Sequence, residues 1–314
     1  MKHSVFATCL SLIALAGCAT QADKGRIIGG DVVPITPAGS YQWQVEIFYY
    51  PDPSLKLKMS QTAYAELGHH CGGSLIADQW VLTAAHCVDI SDIDPKLRGG
   101  LPFEKLYSVL VGAHDLADRV SNSAARAPII RQVAGPPILP SEWLAGGRKK
   151  GSWAYDVAII HLDSPVPLTD PARVRTVRLA AAPRIAGSKL SVTGWGRADV
   201  KGVTGPGQSG QSATYGGMEP KLKMATIEVK TPDKCVGING ANFPSSHLCA
   251  TPDSGRACQG DSGGPATSLQ GVQYGIVSFG PDNCDRSGSA FTDVAKIRDW
   301  VALELKKAGA TLPD

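Results

Sequence analysis

The stretch from Ala257 to Pro265 sets one serine, Ser262, among glycines, with Asp261 directly before it and Cys258 a short step upstream. An exposed nucleophile in a tight turn needs such a setting. Glycine lets the main chain approach a substrate carbonyl, so the amides of Gly260 and Ser262 could face the oxygen that becomes negative in a transition state. A serine hydroxyl is a weak nucleophile until a base takes its proton. His86 offers that base, at the end of the apolar, strand-like run from Trp80 to Ala85 and beside Cys87. Asp156 offers a carboxylate at the mouth of the apolar run from Val157 to Ile160, where a lone acid needs a partner to be tolerated. Together these residue types can attack a carbonyl with general-base assistance.

Their chain order is histidine, aspartate, serine, and other motifs stand around them. Cys71-Gly72-Gly73-Ser74-Leu75-Ile76 precedes the histidine, Thr193-Gly194-Trp195-Gly196 lies between acid and serine, and Ile276-Val277-Ser278-Phe279-Gly280 follows the serine. On these residues the chain from Ile27 to about Leu305 resembles the chymotrypsin/trypsin family of serine endopeptidases. The resemblance implies an all-β fold, two packed antiparallel six-stranded β-barrels with a C-terminal helix, and a cleft between the barrels. It implies hydrolysis of polypeptides through an acyl-enzyme, with Ser262 as nucleophile, His86 as general base and then acid, and Asp156 orienting the imidazole. Gly260 and Ser262 would form the oxyanion hole, Ser278 would support the buried acid, and Gly280 would pair with an extended peptide. It also implies a zymogen: cleavage after Arg26 frees Ile27, whose new amino terminus pairs with Asp261.

Counting back from Ser262 with Cys258 as the fixed point, the specificity pocket has Arg256 at its floor and Gly280 and Ser289 in its wall. A cation at the base of an open pocket favours an acidic residue, and a neutral one if the cation is matched by Asp253, Asp282 or Asp285. Cleavage after Lys or Arg is the alternative, should Asp253 reach the floor. A second alternative is a non-catalytic binding protein, an adhesin or inhibitor trap, on the same scaffold.

With 314 residues and a net charge of +3, the chain has no basic excess suited to nucleic acid. Its 35 glycines and 22 prolines suit many short strands joined by turns. Lys2 and His3 before the apolar run from Val5 to Leu15 read as an export signal, and Leu15-Ala16-Gly17-Cys18 looks like the bacterial lipobox. The expected divisions are a signal peptide at 1–17, a short propeptide at 18–26 anchored through a lipid on Cys18, and a monomeric protease domain at 27–314. Such a protein is exported and held in the cell envelope as a lipoprotein, to be released to the periplasm or outside when a trypsin-like protease cuts it. Cys71, Cys87, Cys235, Cys249, Cys258 and Cys284 remain, an even set that suggests disulfides rather than metal ligands. The family resemblance pairs Cys71 with Cys87, Cys235 with Cys249, and Cys258 with Cys284. His69 and His70 read as a solvated loop pair, and no metal or cofactor is expected.

Elsewhere, Gln42–Phe48 and Lys223–Val229 read as strands, and the proline-rich 164–176 as the crossing between barrels. The segments 49–68 and 201–217 read as loops, 98–110 as a turn and strand, and 118–152 as an irregular connection. Ala113 stands where a calcium-binding relative would carry a carboxylate, so calcium dependence is not expected. Val294, Ile297, Val301 and Leu305 recur at helical spacing behind Thr292 and Asp293, which could cap a terminal helix.

Overall fold

The computed structural model describes residues 27–28, 30–34, 41–49, 68–92, 101–120, 127, 129–147, 152–197, 220–238, 242–282, 284 and 287–313. Cys18, Arg26, Asp285, most of the 49–68 loop and all of the 201–217 loop lie outside them.

Alternation of apolar and polar side chains builds most of the molecule as strands. In chain order they are β1 (Asp31–Val32), β2 (Gln44–Phe48), β3 (His69–Ala77), β4 (Trp80–Thr83), β5 (Ser108–Val111), β6 (Ile129–Gln132), β7 (Ala158–His161), β8 (Arg178–Leu179), β9 (Lys189–Gly194), β10 (Lys223–Lys230), β11 (His247–Pro252), β12 (Pro265–Thr267), β13 (Val272–Phe279) and β14 (Ser289–Asp293). Strand β10 shows the cause most plainly, with buried and half-buried residues alternating along its whole length.

The two halves close differently. In the second, β10, β11, β14, β13, β12 and β9 follow one another, and β9 pairs back to β10 to complete a six-stranded barrel. In the first, the order is β6, β5, β2, β3, β4, β7, a six-stranded sheet whose edges are joined, among the described residues, by isolated bridges at Val133 to Leu162 and Ile138 to Ile159. The expected fold of two packed six-stranded units is present, as one closed barrel and a half-barrel. The chain just after β6, with Pro136, Pro137 and Pro140, lacks the amide donors that a continuous ladder to β7 would require.

Two short helices, α1 (Phe103–Leu106) and α2 (Ser141–Gly146), appear where the sequence suggested a turn and an irregular connection. Each is pinned by one buried aromatic, Phe103 or Trp143, too few residues to show a period. Helix α3 (Val294–Lys307) starts at Asp293, whose carboxylate accepts from the Ala295 amide at 3.1 Å, and it buries Val294, Ile297, Val301 and Leu305. These pack in the same apolar cluster as Val177 and Leu179 of the crossing segment. No helix among the described residues is long and apolar enough to cross a membrane.

Buried polar pairs register the two halves against each other. Thr193 Oγ1 donates to Gln44 Oε1 at 2.7 Å, and Ser74 Oγ donates to Gln273 Oε1 at 2.7 Å. Hydrogen bonds inside a dry interface must all be made at once, so this seam sets the relative placement of the site residues carried by each half.

Candidate active site

His86 sits in a 3-10 turn (Ala85–Cys87) that ends the β3–β4 hairpin, and the Cys71–Cys87 disulfide ties that turn to β3. Asp156 immediately precedes β7, which pairs with β4, so the sheet itself brings acid and imidazole together. Asp156 Oδ2 lies 2.8 Å from His86 Nδ1, and Oδ1 accepts from the His86 amide at 2.9 Å. Ser278 Oγ, from the other half, donates to Oδ2 at 2.6 Å. Burial of Asp156 disfavours its charge, but the charge of His86 and the hydrogen bonds from His86 and Ser278 outweigh it and hold the carboxyl below the ordinary range. With Nδ1 on the acid, the other ring nitrogen of His86 lies 3.8 Å from Cys87 Sγ, and His86 and Ser262 line one cavity. Hydroxyl, imidazole and buried carboxylate in this order can take the serine proton and stabilise the imidazolium that results.

The serine stands on a turn pressed against β3. Gly72 N donates to Ser262 O at 2.8 Å, and Gly263 has φ +77°, with a Cβ there falling 2.1 Å from Thr83 Oγ1. Only glycine fits, in backbone angle and in space. Asp261 is fully buried, its carboxylate accepting from Gly196 N at 2.8 Å and Cys258 N at 2.9 Å. Burial pushes its pKa up to about 6, against those two amides and the charge of His69. Ile27 is buried in the apolar cluster of the second barrel with Leu190, Val192 and Ala225.

His69 and His70 are not a solvated loop pair. They begin β3 as a strand, and His69 is 5% exposed. Its Nδ1 lies 3.1 Å from Glu46 Oε1 and its Nε2 donates to Gly260 O at 2.9 Å, while Arg119 Nη1 donates to the same Glu46 oxygen at 2.8 Å. The pair was misread because the partners come from β2 and from a turn after β5, invisible to local hydropathy. The result is a buried ionic network that fixes the carbonyl of Gly260, whose φ is +96°. The amides assigned to the oxyanion hole are therefore held from behind.

The cavity beside Ser262 has a volume of about 220 Å³. Ala257, Val277, Ser278, Gly280 and Ser289 line it with small or apolar groups, Asp282 adds a carboxylate, and the Cys258–Cys284 disulfide closes one side. Arg256, expected at the floor, is half-buried, is not among the residues that line the cavity, and donates from Nε to the Cys284 carbonyl. Asp253 pairs with Lys189 Nζ at 2.9 Å on the surface, and does not line the cavity. The third disulfide, Cys235–Cys249, lies in a separate apolar cluster with Phe279 and Ala290.

Cys71, His86 and Cys87 form the one close group of metal-ligating types among the described residues. Both sulfurs are spent in a disulfide, which leaves no thiolate to bind a metal.

A profile of the trypsin family matches residues 35–301. The chain belongs to the trypsin family of serine proteases. Human chymotrypsin-like elastase family member 1 is 26% identical over 302 residues, covering 92% of this chain and 97% of that protein. CLIP domain-containing serine protease B4 of Anopheles gambiae is 28% identical over 303 residues, covering 93% of this chain and 73% of the relative. The solved structure of mouse neuropsin, a serine protease of the limbic system, superposes with a TM-score of 0.60 at 25% identity, covering 88% of this chain and 96% of that one. As a trypsin-family protein the chain carries the motifs that define the site, whereas Glu46, His69, Arg119 and His247 escaped a reading by motif.

Proposed function

We propose that the protein is a serine endopeptidase that cleaves polypeptides through an acyl-enzyme, with Ser262 as nucleophile, His86 as general base and then acid, Asp156 orienting the imidazole, and the amides of Gly260 and Ser262 stabilising the oxyanion. The observation that carries this reading is the carboxylate of Asp156, wholly buried yet held by His86 at 2.8 Å and Ser278 at 2.6 Å, beside a cavity that contains Ser262. A scaffold used only for binding has no need to keep an ionised carboxylate dry behind an imidazole.

Activation follows the zymogen route, by cleavage after Arg26. Two observations support it: Ile27 is packed in the second barrel, and Asp261 is a buried carboxylate with a raised pKa that a new ammonium at Ile27 would neutralise. The primary specificity is for an acidic or neutral residue; the small side chains of Ser278, Gly280 and Ser289 in the cavity wall support a neutral one, and Asp282 in the same lining weighs against an acidic one. The pairing of Asp253 with Lys189 counts against cleavage after Lys or Arg. The enzyme is exported, anchored by a lipid on Cys18, and released from the envelope by the same cut, a reading supported by the pairing of the six later cysteines with one another.

The test is labelling by a fluorophosphonate after cleavage at Arg26. Covalent modification of Ser262 is expected. A correctly cut protein that leaves the probe unreacted while remaining folded would favour the binding-protein reading.

A further inference from the structure

His247 opens β11, is 4% exposed, and takes no part in the chemistry assigned above. Its ring contacts three hydroxyls. Nδ1 lies 3.1 Å from Ser246 Oγ, and Nε2 lies 3.1 Å from Ser278 Oγ and 3.3 Å from Thr292 Oγ1. Proton bookkeeping orients all of them. Ser278 spends its proton on the Asp156 carboxylate, and Thr292 spends its proton on the Asp156 carbonyl at 2.7 Å, since both of those oxygens can only accept. Both hydroxyl oxygens therefore present lone pairs to His247, whose Nε2 must carry the hydrogen. On the other side Ser246 Oγ accepts from the Tyr155 amide at 2.9 Å, leaving its own proton for the bare Nδ1. The path runs in one direction, from Tyr155 N–H through Ser246, His247, and Ser278 or Thr292 to Asp156.

Neutral imidazole, donor on one nitrogen and acceptor on the other, is the form that completes this path. Burial among Phe279, Phe243 and the hydroxyls pushes the His247 pKa down to about 4, against the pull of the Asp156 carboxylate. The segment it holds is under strain, since Tyr155 has φ +55°, a left-handed conformation that a tyrosine adopts only when its surroundings impose it.

We infer that His247 is a positioning residue for the hydrolytic reaction: it clamps the Tyr155–Asp156 segment and locks the hydroxyls of Ser278 and Thr292 onto Asp156, so that the carboxylate meets His86 in one geometry. This rests on the proposed role of Asp156 in hydrolysis.

The experiment compares activated wild type with His247→Phe, which fills the space without donor or acceptor, and His247→Gln, whose amide supplies both. Fluorophosphonate titration counts competent sites, so rates refer to folded enzyme. His247→Phe should lower kcat by about ten- to hundredfold, as expected for unmaking a buried hydrogen-bond path, with KM changed by less than about threefold. His247→Gln should recover most of the loss. The downfield proton resonance of the His86–Asp156 hydrogen bond should shift or broaden in His247→Phe and return in His247→Gln. In a Ser278→Ala background the cost of His247→Phe should shrink, because one of its two routes is already gone. If His247→Phe gives no titratable sites, His247→Met, flexible enough to fill the space, carries the same comparison. Unchanged kcat and resonance in a folded Phe or Met variant, or full additivity with Ser278→Ala, overturns the inference. Inactive wild type would instead overturn the proposed function.

Discussion

Asp156 concentrates the residue-scale argument, because a dry carboxylate survives only while several donors agree on it. His86, Asp156 and Ser262 could be proposed from the sequence, since the first two end or begin an apolar run and the serine sits in a glycine-rich motif. His247 could not: its partners Ser278 and Thr292, and Tyr155 reached through Ser246, lie far from it in the chain, and a lone histidine in a strand carries no local signature. Replacing Ser262 by alanine should lower turnover about a millionfold without loss of fold, measured as peptidase activity beside circular dichroism. His247 adds a pH dependence of stability. Its folded pKa, about 4, is depressed from 6.5, so as pH falls through 6.5 the unfolded chain takes up a proton that the native state refuses, and stability falls. At pH 4.5 that uptake costs about 2–3 kcal/mol relative to pH 7. His247→Gln should lose less stability over this range by that amount, read from urea unfolding at both pH values. Equal losses in the two proteins would show that the ring is protonated in the fold.

At the scale of elements, strands and glycine-rich turns carry the site. The β10 period and the α3 stripe were legible because each buries one face over enough residues to repeat, and β2 was legible from its alternation of side-chain type although all five of its residues are buried. The helices α1 and α2 were not, and neither was the open seam of the first half, which depends on contacts far apart in sequence. The Gly194-Trp195-Gly196 turn was legible as a motif, and the structure supplies its reason. A Cβ at Gly196 would fall 2.4 Å from the Asp261 carboxyl carbon and 2.5–2.6 Å from its oxygens. Gly196→Ala should therefore displace Asp261, disturb the Gly260–Ser262 turn and cut kcat by at least about a hundredfold, while fluorescence of the buried Trp195 reports an otherwise folded barrel. Full activity in this variant would mean that Asp261 can move without consequence for the oxyanion hole.

For the whole molecule the governing question is how one cut after Arg26 could complete the cleft. Self-activation is not expected: the guanidinium of Arg26 would enter a cavity whose lining, among the described residues, offers Asp282 as its one carboxylate, with the charge of Arg256 held near by on the Cys284 carbonyl. Proenzyme incubated alone should keep its amino terminus for hours, and rapid, concentration-dependent appearance of an Ile27 terminus would show that the cavity accepts arginine. Cleavage by an added tryptic protease should then alter stability as well as activity. In the uncut chain Asp261 has its pKa raised to about 6 from 3.8, so the fold is favoured by protonation and loses stability as pH rises through 4 to 6. An ammonium at Ile27 would draw that pKa back down and remove the loss. The cut form should therefore exceed the uncut form by up to about 3 kcal/mol at pH 8, with the gap closing as pH falls from 6 towards 4. Urea unfolding of cut and uncut Ser262→Ala protein, which cannot digest itself, measures this directly. Equal stability of the two forms at pH 8 would show that the new terminus does not reach Asp261, and the cut would then need another route to the oxyanion hole.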